Sequence, residues 1–326
     1  MRELSYREAL REALREEMKR DSSVFLLGEE IAEYGGSYKV TQGLVDEFGH
    51  ERVRNTPLAE AAIVGAALGA AVAGMRPIAE IMYIDFSPIS LSQILNSVAK
   101  FHYMSVGMVK VPLVIRTQCG GGRSVGCQHS QSLEAIYTHI PGLIVVMPSN
   151  PYDAKGLLKS SIREDNPVMF IEHKMLYGET GMVPEEEYLV PLGKAEVKRR
   201  GNDITVVAYS QAVNRVLKAA EALEKDSIDL EVIDPRTLRP LDEDVILDSV
   251  KKTGRVMIVH EACKTGGFGG EVAAIIAEKA FDYLDAPIKR VAALDSSIPY
   301  NPRLEAYILP GEDDIISAAR ELMGKQ

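Results

Sequence analysis

The chain has 326 residues, 46% of them hydrophobic and 26% charged, with 37 basic against 47 acidic side chains. At roughly 150 residues per domain this length supports two domains, each burying its own core. The apolar content excludes disorder and collagen-like repeats, and a formal charge of −10 argues against a general nucleic-acid or anionic-membrane binder.

Three cysteines, Cys119, Cys127 and Cys263, are an odd number without metal-ligand spacing, which points to a reducing compartment rather than a disulfide scaffold. The amino terminus MRELSYREALREALREEMKR is charged throughout, unlike a signal peptide. The charge-free stretch from Ala61 to Met75 is shorter than the ~20 residues a membrane span needs. The expectation is a cytoplasmic chain.

Ser5 and Glu8 form a capping box ahead of Leu10, Ala13, Leu14 and Met18 at helical spacing, so the chain opens on an amphipathic helix. Short apolar runs follow: VFLL, PIAEI, VPLVI, LIVVM and VMFI, between Val24 and Ile171. Segments between them, such as Pro88 to Phe101 and Pro151 to Arg163, read as helices. Continuous apolar strands alternating with helices predict a parallel sheet covered on both faces. The Gly-, Pro- and Glu-rich stretch from Lys174 to Leu192 has the composition of an interdomain connection. The alternation resumes at ITVVAY and runs through LEVID, RVMIVH and IKRVAA, which makes the second domain α/β and smaller.

The helix expected from Thr56, with Thr56 as N-cap and Pro57 at the first helical position, carries Glu60 near its first turn. Glu60 shares a face with Ile63, Val64, Ala67 and Leu68. Two readings stand open: a surface carboxylate complementing the helix dipole, or a desolvated proton-shuttling group with a raised pKa. Gly65 and Gly69 would admit a second backbone closely, suggesting a helix–helix contact, which between subunits is one form.

The loop QCGGGRSVGCQHSQ follows the strand that ends at Ile115. Its three glycines could cradle phosphate, but no Gly-Lys-Ser or Gly-Lys-Thr follows. GRSVG fits the serine-hydrolase pattern with Ser124 as nucleophile, although the strand-to-helix turn that pattern needs is missing. Cys127 lies too near His129 in sequence to face it as a thiol–imidazole pair. His129 sits where α/β sheets place their active sites, beyond the carboxyl end of a strand. TGGFGG at Thr265 fails the dinucleotide fingerprint, and close backbone approach accounts for its glycines.

LGEEIAEYGGSYKVTQGL, NTPLAEAAIVGAALGAAVAGMRPIAEI and CQHSQSLEAIYTHIPGLIVVMPSNPYDAKGLL together resemble the beta subunits of thiamine-diphosphate-dependent 2-oxo acid dehydrogenases. The likeness continues through EVIDPRTLRPLDEDVI, TGRVMIVHEA and TGGFGGEV and so covers nearly the whole chain.

The resemblance implies two three-layer α/β/α domains: a transketolase-like pyrimidine-binding domain over 1–178, a linker over 179–198 and a transketolase carboxyl-terminal domain over 199–326. It implies two alpha and two beta chains, with thiamine diphosphate between alpha and beta. Glu60 matches the glutamate that hydrogen-bonds the aminopyrimidine and drives the tautomerisation needed for cofactor activation, which favours the buried-carboxylate reading. Glu29 matches a second carboxylate at the pyrimidine edge, Phe86 the aromatic stacked on that ring, and His129 the histidine of acyl transfer to lipoyl. Leu113, Ser161, Ile162, Glu164 and Asn166 match a potassium site.

No Gly-Asp-Gly occurs in the sequence, so the diphosphate and magnesium ligands are expected from an alpha partner. The implied activity is oxidative decarboxylation of pyruvate with acyl transfer to a lipoyl-bearing acyltransferase core. GEEIAEYGGSYKVTQGL and RPIAE are nearest the pyruvate type. NTPLAEAAIVG is similar to the branched-chain type, and YIDF, PSNPYDAKGLL and EHKMLYG to acetoin dehydrogenase. A serine hydrolase at Ser124 and a noncatalytic scaffold subunit are the readings from other classes.

Overall fold

The computed structural model describes residues 1–324 and divides into two compact units. The first comprises Met1–Cys119 and Ile136–Leu192; the second comprises Gly120–Ala135 and Gly193–Gln326. Where a linker over 179–198 is expected, Thr180–Val183 is a strand pairing antiparallel with Arg2–Ser5, and the chain changes unit after Leu192.

In the first unit, strands β1 (Val24–Gly28), β2 (Val53–Asn55), β3 (Arg76–Ile81), β4 (Val114–Cys119), β5 (Ile144–Val146) and β6 (Val168–His173) run parallel in the order β5-β6-β4-β3-β1-β2. Burial on both faces is why β1, β4 and β6 lack a polar alternation. Helix α1 (Tyr6–Arg20) starts at the expected capping box on Ser5 and Glu8. Its Tyr6, Leu10, Leu14 and Met18 pack with Leu157, Leu158 and Ile162 of α3 (Pro151–Arg163) over the sheet. The buried amines of Lys155 and Lys159 pair with Glu16 of α1 at 2.8 and 2.5 Å, tying the two helices by charge.

Helix α2 (Glu60–Val72) packs on β3 through Ile63, Val64, Ala67 and Ala71. It begins later than expected. Thr56 is not its N-cap: the Thr56 N–H is bound by the Gly28 carbonyl at 2.9 Å, and Ala59 occupies the cap position without a side-chain bond. The expected helix over Pro88 to Phe101 is also broken up, into a 3₁₀ turn (Ile84–Ser90), a π-helical turn (Gln93–Val98) and one α-helical turn (Phe101–Met104). Ser87 and Ser90 hydroxyls bond the carbonyls of Ile84 and Ser87, competing with a regular ladder, and Pro88 removes a donor.

The second unit holds a five-stranded sheet of β7 (Glu196–Arg199), β8 (Ile204–Ala208), β9 (Leu230–Asp234), β10 (Val256–Cys263) and β11 (Lys289–Ala293), in the order β11-β10-β8-β9-β7. Only the edge strand β7 is antiparallel within this sheet. Helices α4 (Gln211–Leu223) and α8 (Glu312–Leu322) cover one face through Val213, Val216, Ile315 and Ala319 against Val206, Val232 and Met257. Thr205, pointing the other way, bonds Ser249 (2.6 Å) and Thr253 (2.7 Å) of α5 (Glu243–Thr253). Helix α6 (Gly269–Ala280) packs beside α5, and a short α7 (Pro302–Ile308) precedes α8. Both units are therefore sheets with helices on two faces. No helix among the described residues is long and apolar enough to cross a membrane.

Candidate active site

Strands β1 and β3 lie side by side and end together, and the chain leaving β1 places Glu29 beside Glu80. Gly28 makes this approach feasible: a Cβ there would stand 3.0 Å from both the Cβ and the carbonyl oxygen of Glu80. Glu29 is 3% exposed and neither carboxylate oxygen has a hydrogen-bond partner. Burial first, then the charges of Glu60 and Glu80, push its pKa up to about 7. Glu60, 8% exposed, is the first residue of α2, where the unpaired N–H groups of a helix terminus favour a carboxylate. The hydroxyl of Thr56, just ahead of that helix, is buried and without a partner.

Beneath these carboxylates lies an ion network that sequence reasoning missed. Arg116, fully buried, gives Nη1 to Glu80 at 2.8 Å and grips Glu172 through Nε (2.7 Å) and Nη2 (2.8 Å). The Tyr177 hydroxyl donates to Glu172 at 2.5 Å, and Gln118 donates to Glu80 at 3.3 Å. The pair of carboxylates holds the guanidinium charged, with its pKa raised despite desolvation. The signal was available: PIAEI, VIRTQC and VMFIEH each carry a charge inside an otherwise buried strand, and Glu80 stands directly across from Arg116 in the sheet register. The Glu80 carboxylate is also one of the charges that raise the pKa of Glu29.

Phe86 is half-buried in the turn that leaves β3, its N–H bonded to the Tyr83 carbonyl at 2.9 Å. The same turn carries Asp85, 3.8 Å from the Lys174 amine, which lies 4.5 Å from the centre of the Tyr83 ring. Glu29, Glu60, Glu80 and Phe86 thus all belong to the first unit. His129 belongs to the second. It is half-buried in the loop after β4, its N–H bonded to the Gly126 carbonyl at 3.3 Å. The loop glycines cradle carboxylates of the protein itself: the Gly121 N–H donates to Glu261 (2.7 Å) and the Gly122 N–H to Glu305 (2.8 Å). Ser124 donates both its N–H (2.9 Å) and its hydroxyl (3.1 Å) to Glu305, and it opens no strand-to-helix turn. The carboxylate facing that hydroxyl is already taken up by two backbone N–H groups, which leaves it less available as a base.

In TGGFGG, a Cβ on Gly267 or Gly269 would come within 2.6 and 2.5 Å of the His260 ring, so close packing does account for those glycines. Among the expected cation ligands, the carbonyls of Ile162 and Glu164 converge on the Arg76 guanidinium at 3.0 Å each. The Leu113 carbonyl accepts the Val168 N–H at 2.9 Å, the Ser161 hydroxyl bonds Leu157, and Asn166 donates to the Glu164 side chain at 2.8 Å.

Residues 2–180 match the transketolase pyrimidine-binding domain and residues 193–315 the transketolase C-terminal domain. The split-gene transketolase described as an inactive beta4 tetramer shares the fold, with a TM-score of 0.82 at 22% identity over 98% of this chain and 99% of that one. Fold and domains define a chain of transketolase architecture.

The chain is 48% identical over 320 residues to the pyruvate dehydrogenase E1 component subunit beta of Rickettsia felis, covering 98% of each. It is 49% identical over 321 residues to the 2-oxoisovalerate dehydrogenase subunit beta of Bacillus subtilis, again 98% of each. Identity is 46% over 336 residues to the acetoin:2,6-dichlorophenolindophenol oxidoreductase subunit beta of Bacillus subtilis, 99% of this chain and 98% of that one. The chain belongs to the beta-subunit family of the 2-oxo acid dehydrogenases.

Proposed function

We propose that this chain is the half of a pyruvate-oxidising enzyme that activates the aminopyrimidine end of thiamine diphosphate and passes the acyl group to lipoyl. The observation that carries the reading is the buried, unpartnered carboxylate of Glu29 beside Glu60, a donor set that suits a heterocycle bearing ring nitrogens and an amine. Thiamine diphosphate, when bound, supplies the carbanion chemistry. Glu60 holds and returns a proton at a pyrimidine ring nitrogen, in a site dry enough to make that exchange effective. Glu29, straddling neutral pH, presents either a donor or an acceptor at the ring edge. Phe86 offers a face for stacking, and His129 acts in acyl transfer.

The diphosphate and magnesium fall to an alpha subunit in an assembly of two alpha and two beta chains, since this sequence has no Gly-Asp-Gly. Helix α2 supports that assignment: Ala62, Gly65, Ala66 and Gly69 face outward, and nothing lies within 4 Å of a Cβ built on either glycine. The acyl acceptor is the lipoyl group of an acyltransferase core. A potassium ion at Leu113, Ser161, Ile162, Glu164 and Asn166 would have to share the Ile162 and Glu164 carbonyls with the Arg76 guanidinium. The exposed thiols Cys127 and Cys263 fit a reducing, cytoplasmic setting.

Affinity purification from the native source, with mass spectrometry, tests the split site. A stoichiometric partner carrying Gly-Asp-Gly is expected, and the pair should turn over pyruvate faster than branched 2-oxo acids or acetoin. A solitary chain that binds no thiamine diphosphate would return the scaffold reading. His129→Ala should cut lipoyl-dependent turnover far more than decarboxylation read with an electron-accepting dye; equal losses would move His129 to the earlier step.

A further inference from the structure

Glu261 and Glu305 are both buried, at 8% and 3% exposure, and both spend their carboxylates on the backbone of a loop 140 to 183 residues away in sequence. Neither belongs to a motif tied to substrate. Glu305 alone takes three donors: the Gly122 N–H, the Ser124 N–H and the Ser124 hydroxyl. Charge-assisted bonds of this kind are about twice as strong as neutral ones.

They act on a segment that would not hold its shape unaided. Ser124 sits at φ 55°, in the left-handed region that a serine occupies only when its surroundings impose it. Glu305 bonds that residue twice. A Cβ on Gly121 would lie 2.8 Å from Leu309 Cδ1, and one on Gly126 would lie 2.3 Å from the Tyr300 ring, so the loop backbone is pressed against the segment from Tyr300 to Leu309 at both points. Glu261 is itself steadied by Arg215 at 3.3 Å, whose Nη1 donates to the Pro310 carbonyl at 2.7 Å. From Gly126 the chain turns directly to His129, and the Gly120 N–H closes the loop on the Gln131 carbonyl at 3.0 Å.

We propose that Glu305, supported by Glu261, is a positioning residue for His129: it fixes the Gly120–Gln131 loop in the one shape that presents the imidazole for acyl transfer. This rests on the acyl-transfer reading of His129. A residue that merely held the fold together would, on removal, lower both half-reactions alike. A positioning residue lowers the one that uses His129.

The test uses the assembled two-chain enzyme carrying Glu305→Gln, which removes the charge and sets an amide NH2 against at least one of the loop's donors. Hydrogen exchange in the peptide spanning 120–131 should accelerate about ten-fold as local opening becomes easier. Lipoyl-dependent acyl transfer should fall about ten-fold, in line with the sensitivity of catalysis to small misplacements, while dye-linked decarboxylation stays within about two-fold. The double variant His129→Ala/Glu305→Gln should be no slower in acyl transfer than His129→Ala alone. Ser124→Ala, a milder change in case the first variant fails to assemble, should shift exchange and acyl transfer the same way by a smaller factor. Unchanged exchange, equal loss in both assays, or an additive double variant would overturn the inference. Accelerated exchange with no selective loss in His129→Ala would instead reject the acyl-transfer reading while supporting the anchoring of the loop.

Discussion

Replacing Glu29 by Gln should stabilise the protein at alkaline pH and not at acid pH. In the folded chain this carboxyl is raised from its ordinary 4.5 to about 7, by burial and by Glu60 and Glu80. A carboxyl raised on folding contributes stability below its unfolded value, and that contribution is lost as pH climbs through the folded value. The window is therefore about pH 4.5 to 7. The full displacement corresponds to about 3 kcal/mol between the two protonation states, and screening by solvent just beyond the site brings this to about 1–2 kcal/mol. Gln has the shape of the protonated acid and never ionises. Urea unfolding of wild type and Glu29→Gln at pH 5 and pH 8.5 should show little difference at the lower pH. At the higher pH the variant should be more stable by about 1–2 kcal/mol. The same variant should lose thiamine-diphosphate-dependent turnover, since an amide cannot pass between the protonated and ionised forms that the carboxyl offers the ring edge. An advantage of equal size at both pH values would refute the argument, because it would then owe nothing to ionisation.

Glu60→Gln should abolish cofactor activation while leaving assembly intact; near-normal turnover in the assembled enzyme would contradict its assignment. Arg116→Leu should destabilise the first unit by about 3–5 kcal/mol, because it leaves Glu80 and Glu172 buried without their cation, and circular dichroism melting would register it. Gly65→Leu should leave the isolated fold unchanged, since nothing lies near a Cβ there, yet prevent co-purification of the alpha partner. Retained co-purification would move the partner contact off α2.

The parts of this structure that were legible in the sequence are those governed by local chemistry. Ser5 and Glu8 announce α1 because a capping box is completed within four residues. VFLL and VMFI announce buried parallel strands because nothing polar interrupts them, whereas VPLVI overlaps its strand only at Val114 and Ile115, the strand running on through Arg116 to Cys119. Glu60 stood out as a carboxylate among apolar neighbours, a pattern that left a surface and a buried reading open, and the structure buries it. What was hidden depends on partners far away along the chain. Thr56 has the composition of an N-cap, yet its hydroxyl bonds no N–H and its backbone is held to Gly28 of a neighbouring strand, while the helix starts at Glu60 with Ala59 in the cap position. Pro88 to Phe101 has helical spacing, yet serine hydroxyls and a proline divide it into short turns. The Glu305 bonds to Gly122 and Ser124 span more than half the sequence, and no local pattern encodes them.

The excursion of Gly120–Ala135 into the second unit has a consequence for how the protein is made and how it is cut. A ribosome emitting residues 1–192 delivers, in the middle of that stretch, sixteen residues whose partners have not yet been synthesised. They must wait, exposed, until Glu261 and then Glu305 emerge. The same arrangement defeats a simple gene truncation at position 193: the downstream fragment would carry Glu261 and Glu305 with no backbone donors to receive, and the upstream fragment would carry a loop with nothing to shape it.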